Sequence, residues 1–254
     1  VRSRQQRTRI QSIYFENQIN GVTIATIEKM GRREYDQACS LASALDRIGE
    51  RWSLLIVREL SLGPLRFSDL DRNVGNAPTD ILTKRLRDLE SHGIVRRRPL
   101  DPPATGFVYE LTEIGWELER PMIELGRWGM NFERAGDVSD LPPSSLANAV
   151  RLIVQPSPQA RMTVGLRSGD LAYTLRVEDG WVAASRGLVD DPDLVLSGEP
   201  AAILVALVVG EAGAAGIEIE GDRAALDELR AMVVLPAKLR QETLAFAGQP
   251  AAVA

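Results

Sequence analysis

Between Thr79 and Arg98 the chain gathers side chains suited to gripping a polyanion. From Lys84 onward, Lys84, Arg85, Arg87, Arg96, Arg97 and Arg98 are basic and only Asp88 and Glu90 oppose them, a local net of +4 over 84–98 in a chain whose total is −5. Ammonium and guanidinium groups donate charge-assisted hydrogen bonds to phosphate oxygens. Thr79, Asp80, Thr83 and Lys84 carry the donors and acceptors that read base edges in a major groove. Covalent chemistry finds little to work with. One histidine and one cysteine make a Ser-His-Asp constellation or a zinc centre improbable, and neither a glycine-rich phosphate loop nor a metal-ligand cluster is present. No catalytic residue, metal or cofactor is assigned, and an enzyme is not expected.

A helix must position these groups. Leu82, Leu86 and Leu89 recur at helical spacing and mark a buried face, with Asp80, Thr83, Lys84 and Arg87 opposite. Thr79 is expected as the N-cap, and Gly93 stands where a helix stops. Arg85 and Arg87 are expected on phosphates. Before this helix, Leu41, Ala42, Leu45 and Ile48 give a helical stripe over 36–49, and a second helix starts near Ser53 and breaks at Gly63-Pro64. A short helix follows, with Ser68 as N-cap, so Arg66 and Ser68 join the DNA-facing candidates. After it, Ile94 to Arg98 and Phe107 to Leu111 flank a Pro/Gly-rich tip and read as a β-hairpin wing. Thr112 caps a last helix carrying Leu118, Met122, Leu125 and Trp128, which Pro121 should kink or divide.

Length and composition predict two small domains of ordinary soluble character. No apolar run reaches a membrane span, no signal-peptide pattern opens the chain, and a single cysteine excludes an internal disulfide; these features lead us to expect a cytoplasmic protein. The expected division is an extension over 1–35, a first domain over 36–135, a linker over 136–145, a second domain over 146–235 and a terminal segment over 236–254. The extension reads as a basic arm or as residues irrelevant to the fold, with Met30 an alternative start. Residues 135–254 hold 9 basic and 16 acidic groups, −7, so they are not expected to lie along phosphates.

The first half resembles the HxlR-type winged helix-turn-helix regulators, relatives of the MarR group. The resemblance rests on Cys39, Ile48-Gly49-Glu50-Arg51-Trp52, Gly63-Pro64-Leu65-Arg66-Phe67, Leu82-Thr83-Lys84-Arg85-Leu86-Arg87-Asp88-Leu89-Glu90-Ser91-His92-Gly93, Tyr109-Glu110-Leu111-Thr112-Glu113-Ile114-Gly115 and Trp128-Gly129. It implies a homodimer on double-stranded operator DNA, the helix at 79–92 in the major groove and helices at both ends of the module in the dimer contact. Some members of the family use the amino-terminal cysteine as a sensor. Cys39 is therefore a redox candidate beside its plainer reading as a small buried hydrophobe. His92 reads as a helix-terminal cation, and Trp52 and Trp128 as core or dimer contacts.

In the second half a helix over 144–154 gives way to alternation: Met162, Val164 and Leu166, then Leu171, Tyr173, Leu175 and Val177. Ser168-Gly169 and Asp179-Gly180 are hairpin turns, Trp181 opens a third strand, Asp193 to Ser197 form a fourth, and helices follow Pro200 and Asp222. This is an α+β domain, an antiparallel sheet with helices on one face. Gly169-Asp170, Tyr173, Asp179-Gly180-Trp181, Asp191-Pro192-Asp193-Leu194-Val195-Leu196-Ser197 and Glu220-Gly221-Asp222 resemble the sterol carrier protein type 2-like fold. That resemblance implies an apolar cavity between sheet and helices. Met162, Val164, Leu166, Tyr173, Leu175, Trp181, Ile203 and Leu207 would line it for a small apolar or aromatic effector. The alternative is that these faces fill one another as a core. The function expected is a DNA-binding transcriptional regulator; the alternatives are an apolar-ligand or lipid carrier, which needs no basic helix, and a redox regulator acting through Cys39.

Overall fold

The computed structural model describes residues 35–75, 77–132, 141–210 and 216–247. The expected amino-terminal arm, the first part of the expected linker at 136–140 and the end of the terminal segment at 248–254 lie outside them. The chain divides into two compact units, one ending at Glu50 and the other starting at Arg51. In the first, helix α1 (Ser40–Ile48) follows Cys39, which takes the N-cap position without a side-chain cap bond. Arg47 Nη1 donates to the Ser43 carbonyl at 2.6 Å, and Asp46 Oδ1 accepts from the Tyr35 backbone N–H at 3.0 Å. The helix starts four residues later than its apolar stripe suggests.

The second unit opens with α2 (Ser53–Leu60), α3 (Phe67–Val74) and α4 (Thr79–Ser91). Gly63, at φ 122°, lets the chain leave α2 in a conformation closed to other residues. Two expected caps move by one or two positions. Arg66 precedes α3 and Ser68 lies inside its first turn; Pro78 precedes α4 and Thr79 is its first residue. Proline fixes φ near the value needed at the helix edge and has no N–H to lose there. The far end of α4 closes as a Schellman motif: Gly93 N–H bonds the Glu90 carbonyl and Ile94 N–H the Leu89 carbonyl, both at 3.0 Å, with Gly93 at φ 69°. His92 is the C-cap.

Strands β1 (Val95–Pro99) and β2 (Phe107–Leu111) pair antiparallel as the expected wing. Thr112 then accepts from Gly115 N–H and starts α5 (Glu113–Trp116). Pro121 divides the expected last helix. The chain breaks after Trp116, and Pro121 becomes the third residue of α6 (Glu119–Gly129), where its missing N–H costs little.

The second half contains α7 (Leu146–Ile153), β3 (Met162–Ser168), β4 (Leu171–Glu178), β5 (Trp181–Arg186), β6 (Leu194–Ser197), α8 (Pro200–Val209), β7 (Glu218–Gly221), α9 (Arg223–Ala231) and α10 (Ala237–Ala247). The sheet order is β5-β4-β3-β6-β7. The sheet is not purely antiparallel as expected, because β6 runs parallel to β3. The loop after β5 crosses one sheet face before entering beside β3: Thr174 Oγ1 bonds Gly187 O and Val189 N, and a Cβ on Gly165 would meet Leu188 at 2.9 Å. Strand β7 and helix α10 were not foreseen. The first has one apolar residue among glutamates, and the second has a weak apolar stripe.

The expected sheet-face pocket is filled. Met162, Val164, Leu166, Tyr173 and Leu175 are all buried, in one cluster with Leu146 and Val150 of α7, Ile203 and Leu207 of α8, and Leu226 and Leu229 of α9. The apolar stripes of the helices match the alternating face closely enough to leave no lining surface. Trp181 does not face that interior. Its ring lies 4.7 Å from Arg120 and 6.0 Å from Arg151.

The winged half and the sheet half share this core, since Leu62 and Met130 belong to the same cluster. Three arginines cross the junction. Arg186 donates to the carbonyls of Glu59 and Gly63 at 3.1 Å and lies 3.4 Å from the Glu59 carboxylate. Arg151, wholly buried, bonds Ser61 Oγ and Val182 O at 3.2 Å and pairs with Glu119. Arg127 reaches the last carbonyls of α7, Leu152 and Val154, at 3.1 Å. Burial pushes the Glu59 carboxyl above its ordinary range, against the pull of Arg58 and Arg186.

Candidate nucleic-acid interface

Helix α4 turns Leu82, Leu86 and Leu89 inward, all essentially inaccessible. The opposite side is then fixed by the 3.6-residue period. Thr79, Asp80, Lys84 and Arg87 are exposed there. Asp80, Lys84 and Arg87 follow one another at i, i+4 and i+7, so they form one stripe. Thr83 is half-buried and its hydroxyl donates to the Thr79 carbonyl at 2.7 Å, which leaves its oxygen able only to accept. Arg66 and Ser68 are exposed at the start of α3, and Arg66 Nη1 reaches the Thr105 carbonyl at the wing tip.

Arg85 departs from the expectation. It is 8% exposed and its Nη1 holds Asp88 Oδ2 at 2.8 Å. The reason is angular: Arg85 lies beside Leu82, Leu86 and Leu89 on the helix, so its stem is drawn into the core and its head is held by the carboxylate one turn on. It is withdrawn from the surface where a phosphate would sit.

The wing arginines are exposed or half-exposed, and each is paired. Glu110 lies between Arg96 and Arg98, accepting from both at 2.8 Å, and Glu90 of α4 accepts from Arg97 at 2.9 Å. The hairpin register sets Arg96 opposite Glu110, and Arg98 lies two residues along on the same face. The hydrogen bond from Arg98, with that from Arg96, holds the Glu110 carboxyl below its ordinary range. Arg97 is on the other face, over the Phe107 ring at 5.3 Å. Glu90 and Glu110 were missed as site residues. The signal for Glu110 was its cross-strand position, readable only once the tip length fixes the register.

Cys39 is exposed, not a buried hydrophobe. Apolar side chains of the winged half also reach the surface: Leu125, Trp128 and Phe132 are 50%, 63% and 70% exposed, with the Trp128 and Phe132 rings 4.9 Å apart. Trp128 is therefore not a core residue of this chain. Among the described residues no group of three or more His, Cys, Asp or Glu could hold a metal ion, and no helix is long and apolar enough to cross a membrane.

Residues 47–137 match the model of the HxlR-like helix-turn-helix family. Uncharacterized HTH-type transcriptional regulators of Mycobacterium bovis and Mycobacterium tuberculosis are 41% identical over 93 residues, 37% of this chain and 58% of theirs. The chain thus spans 58% of the length of these relatives. The HTH-type transcriptional regulator YodB of Bacillus subtilis is 33% identical over 97 residues, 38% of this chain and 87% of that protein. Its reduced form, a solved structure, is 31% identical over 38% of this chain and 94% of that one, with a TM-score of 0.35. An inward leucine face, an outward polar stripe, a paired wing and these identities lead to one assignment: the chain belongs to the HxlR-like helix-turn-helix family of transcriptional regulators.

Proposed function

We propose that this chain binds double-stranded operator DNA as a homodimer, with α4 in the major groove and the wing on flanking phosphates. The observation that carries the reading is the exposed stripe of Asp80, Lys84 and Arg87, with Thr79 and Thr83 beside it, on a helix whose other face is locked by leucines. Short polar and long basic side chains at helical spacing can reach base edges and phosphates together. Arg66 and Ser68, at the start of α3, and the wing tip would extend the phosphate contacts. The exposed face of Leu125, Trp128 and Phe132 supports self-association, because a monomer seldom leaves a cluster of large apolar side chains in water.

In this reading residues 36–135 form the DNA-binding and dimerisation domain and residues 146–235 a sterol carrier protein type 2-like domain. The second domain would sense an apolar effector rather than carry a lipid. The direct test selects DNA from a random pool with the purified chain, then measures binding by fluorescence anisotropy and mass by light scattering. Recovery of a palindromic site bound by a dimer supports the proposal; a monomer with no sequence preference would overturn it. A second reading, redox control, is favoured by the exposure of Cys39. It expects operator affinity to change on mild oxidation in the native chain and not in Cys39→Ser.

A further inference from the structure

The sheet face is packed, but a cleft of about 380 Å³ lies elsewhere, among α2, α7, α8 and α10. That is within the usual range for small-molecule sites, roughly 300 to 1,000 Å³. Its walls are mainly apolar, with Met130, Leu152, Leu204, Val208 and Leu239 among them. Ser145 and Thr243 also reach it, though the Thr243 hydroxyl is engaged by the Leu239 carbonyl at 2.8 Å. Arg58 and Asn148 supply the remaining polar surface.

Asn148 is 5% exposed. Its Oδ1 accepts from Arg151 Nη1 at 3.5 Å. A guanidinium only donates, so this contact fixes which way the amide faces and commits Nδ2 to the other side. Nδ2 is buried and has no hydrogen-bond partner among the described residues. A buried N–H left unmade is costly, and a bound acceptor would remove that cost. Arg58 places both Nε and Nη2 at 3.0 Å from Glu59 Oε1, and Arg186 lies against the same carboxylate. Two guanidinium groups thus share one carboxylate, and Arg58, the one of them that lines the cleft, has no carboxylate to itself.

An apolar cleft edged by an arginine that shares its carboxylate, with a buried unpartnered amide donor on a lining residue, suits an apolar molecule bearing an anionic acceptor. We infer that the cleft binds a small apolar carboxylate, its tail among the α7, α8 and α10 side chains and its carboxylate at Arg58 and Asn148. Arg58 belongs to α2, so the ligand's charged end bonds directly to the helix-turn-helix. Only that regulatory consequence rests on the DNA-binding proposal.

The probes are 4-phenylbutyrate and its neutral amide, matched in shape, titrated calorimetrically into the full chain without DNA. The native chain is expected to bind the acid once per chain, at least tenfold tighter than the amide. In Arg58→Gln that preference disappears. In Ala149→Phe, which puts a ring into the cleft wall, both probes lose binding at least tenfold. Equal affinity for acid and amide in the native chain, no binding of either, a preference that survives Arg58→Gln, or unchanged binding in Ala149→Phe would each overturn the assignment. None of these outcomes bears on whether α4 reads DNA.

Discussion

Arg85 and Arg87 stand two residues apart on α4, and their environments assign them opposite duties. Arg85 is drawn against the leucine face and paired with Asp88; Arg87 is exposed. If α4 meets DNA, Arg87→Ala should weaken binding to every sequence and reduce the log–log salt slope by about one unit. Arg85→Met should leave that slope unchanged and lower the melting temperature instead; anisotropy over a salt series separates the two. At the wing, Glu110 holds two of the three arginines. Because its folded pKa is depressed, the stability it contributes is complete above the ordinary carboxylate value of about 4.3 and is lost as pH falls through the depressed value. Glu110→Gln should therefore melt lower than the native chain near neutral pH, with the gap closing in acid. If the chain binds DNA as proposed, Glu110→Gln should also bind it more tightly at neutral pH and with a steeper salt slope, since Arg96 and Arg98 are released. A gap that persisted below that range would show that the pairing is not the source.

At the scale of elements, the wing is held to the helices through one glycine. A Cβ on Gly115 would sit 2.2 Å from the Ile94 carbonyl oxygen, backbone that cannot swing aside. The same turn is tied by Thr112, whose hydroxyl donates to the Gly93 carbonyl at 2.5 Å while it accepts from Gly115 N–H. Gly115→Ala should cost about 2 kcal/mol in a denaturant melt, in the range expected for overpacking. Its effect on a DNA-binding chain should fall on wing contacts before those of α4. Gly126→Ala makes the control: its new Cβ would meet only the end of the Leu152 side chain, at 2.6 Å, which a rotamer change can relieve. A larger loss at Gly126 than at Gly115 would contradict this account.

At the scale of the molecule, the junction is a shared core sealed by arginines. Arg186 and Arg151 are both pulled below their ordinary range by burial, and carboxylates at Glu59 and Glu119 oppose that pull. Glu59 keeps Arg58 when Arg186 is removed, so the loss in Arg186→Gln comes from the carbonyls of Glu59 and Gly63 that it leaves without their donor. The substitution should cost about 2 kcal/mol and split a single thermal transition into two. Calorimetry reads this directly; one sharp transition in the variant would mean that the apolar core, with Arg151 and Arg127, couples the halves without Arg186. Leu62 and Met130 make a related point: a fragment ending near residue 135 would expose them, so its DNA binding must be judged against its folded fraction.

Much of the architecture was legible because local rules and tertiary demands agree. The leucine period of α4, the Gly93 stop, the Pro/Gly wing tip, the Asp179-Gly180 turn and the alternation of Met162, Val164 and Leu166 each state a local preference that packing had no cause to overrule. The exposed stripe on α4 follows from the same period. What only the tertiary structure decided depends on distance between residues far apart in sequence. Period alone cannot say whether an arginine at the edge of an apolar face swings out or is drawn in, as Arg85 is. It cannot say that β6 enters parallel to β3, because that follows from the loop that crosses the sheet. Nor could it separate a filled sheet face from a hollow one. That depends on how well the side chains of three helices fit one strand face, and the cleft beside Arg58 and Asn148 exists because that fit is good there and incomplete beneath α10.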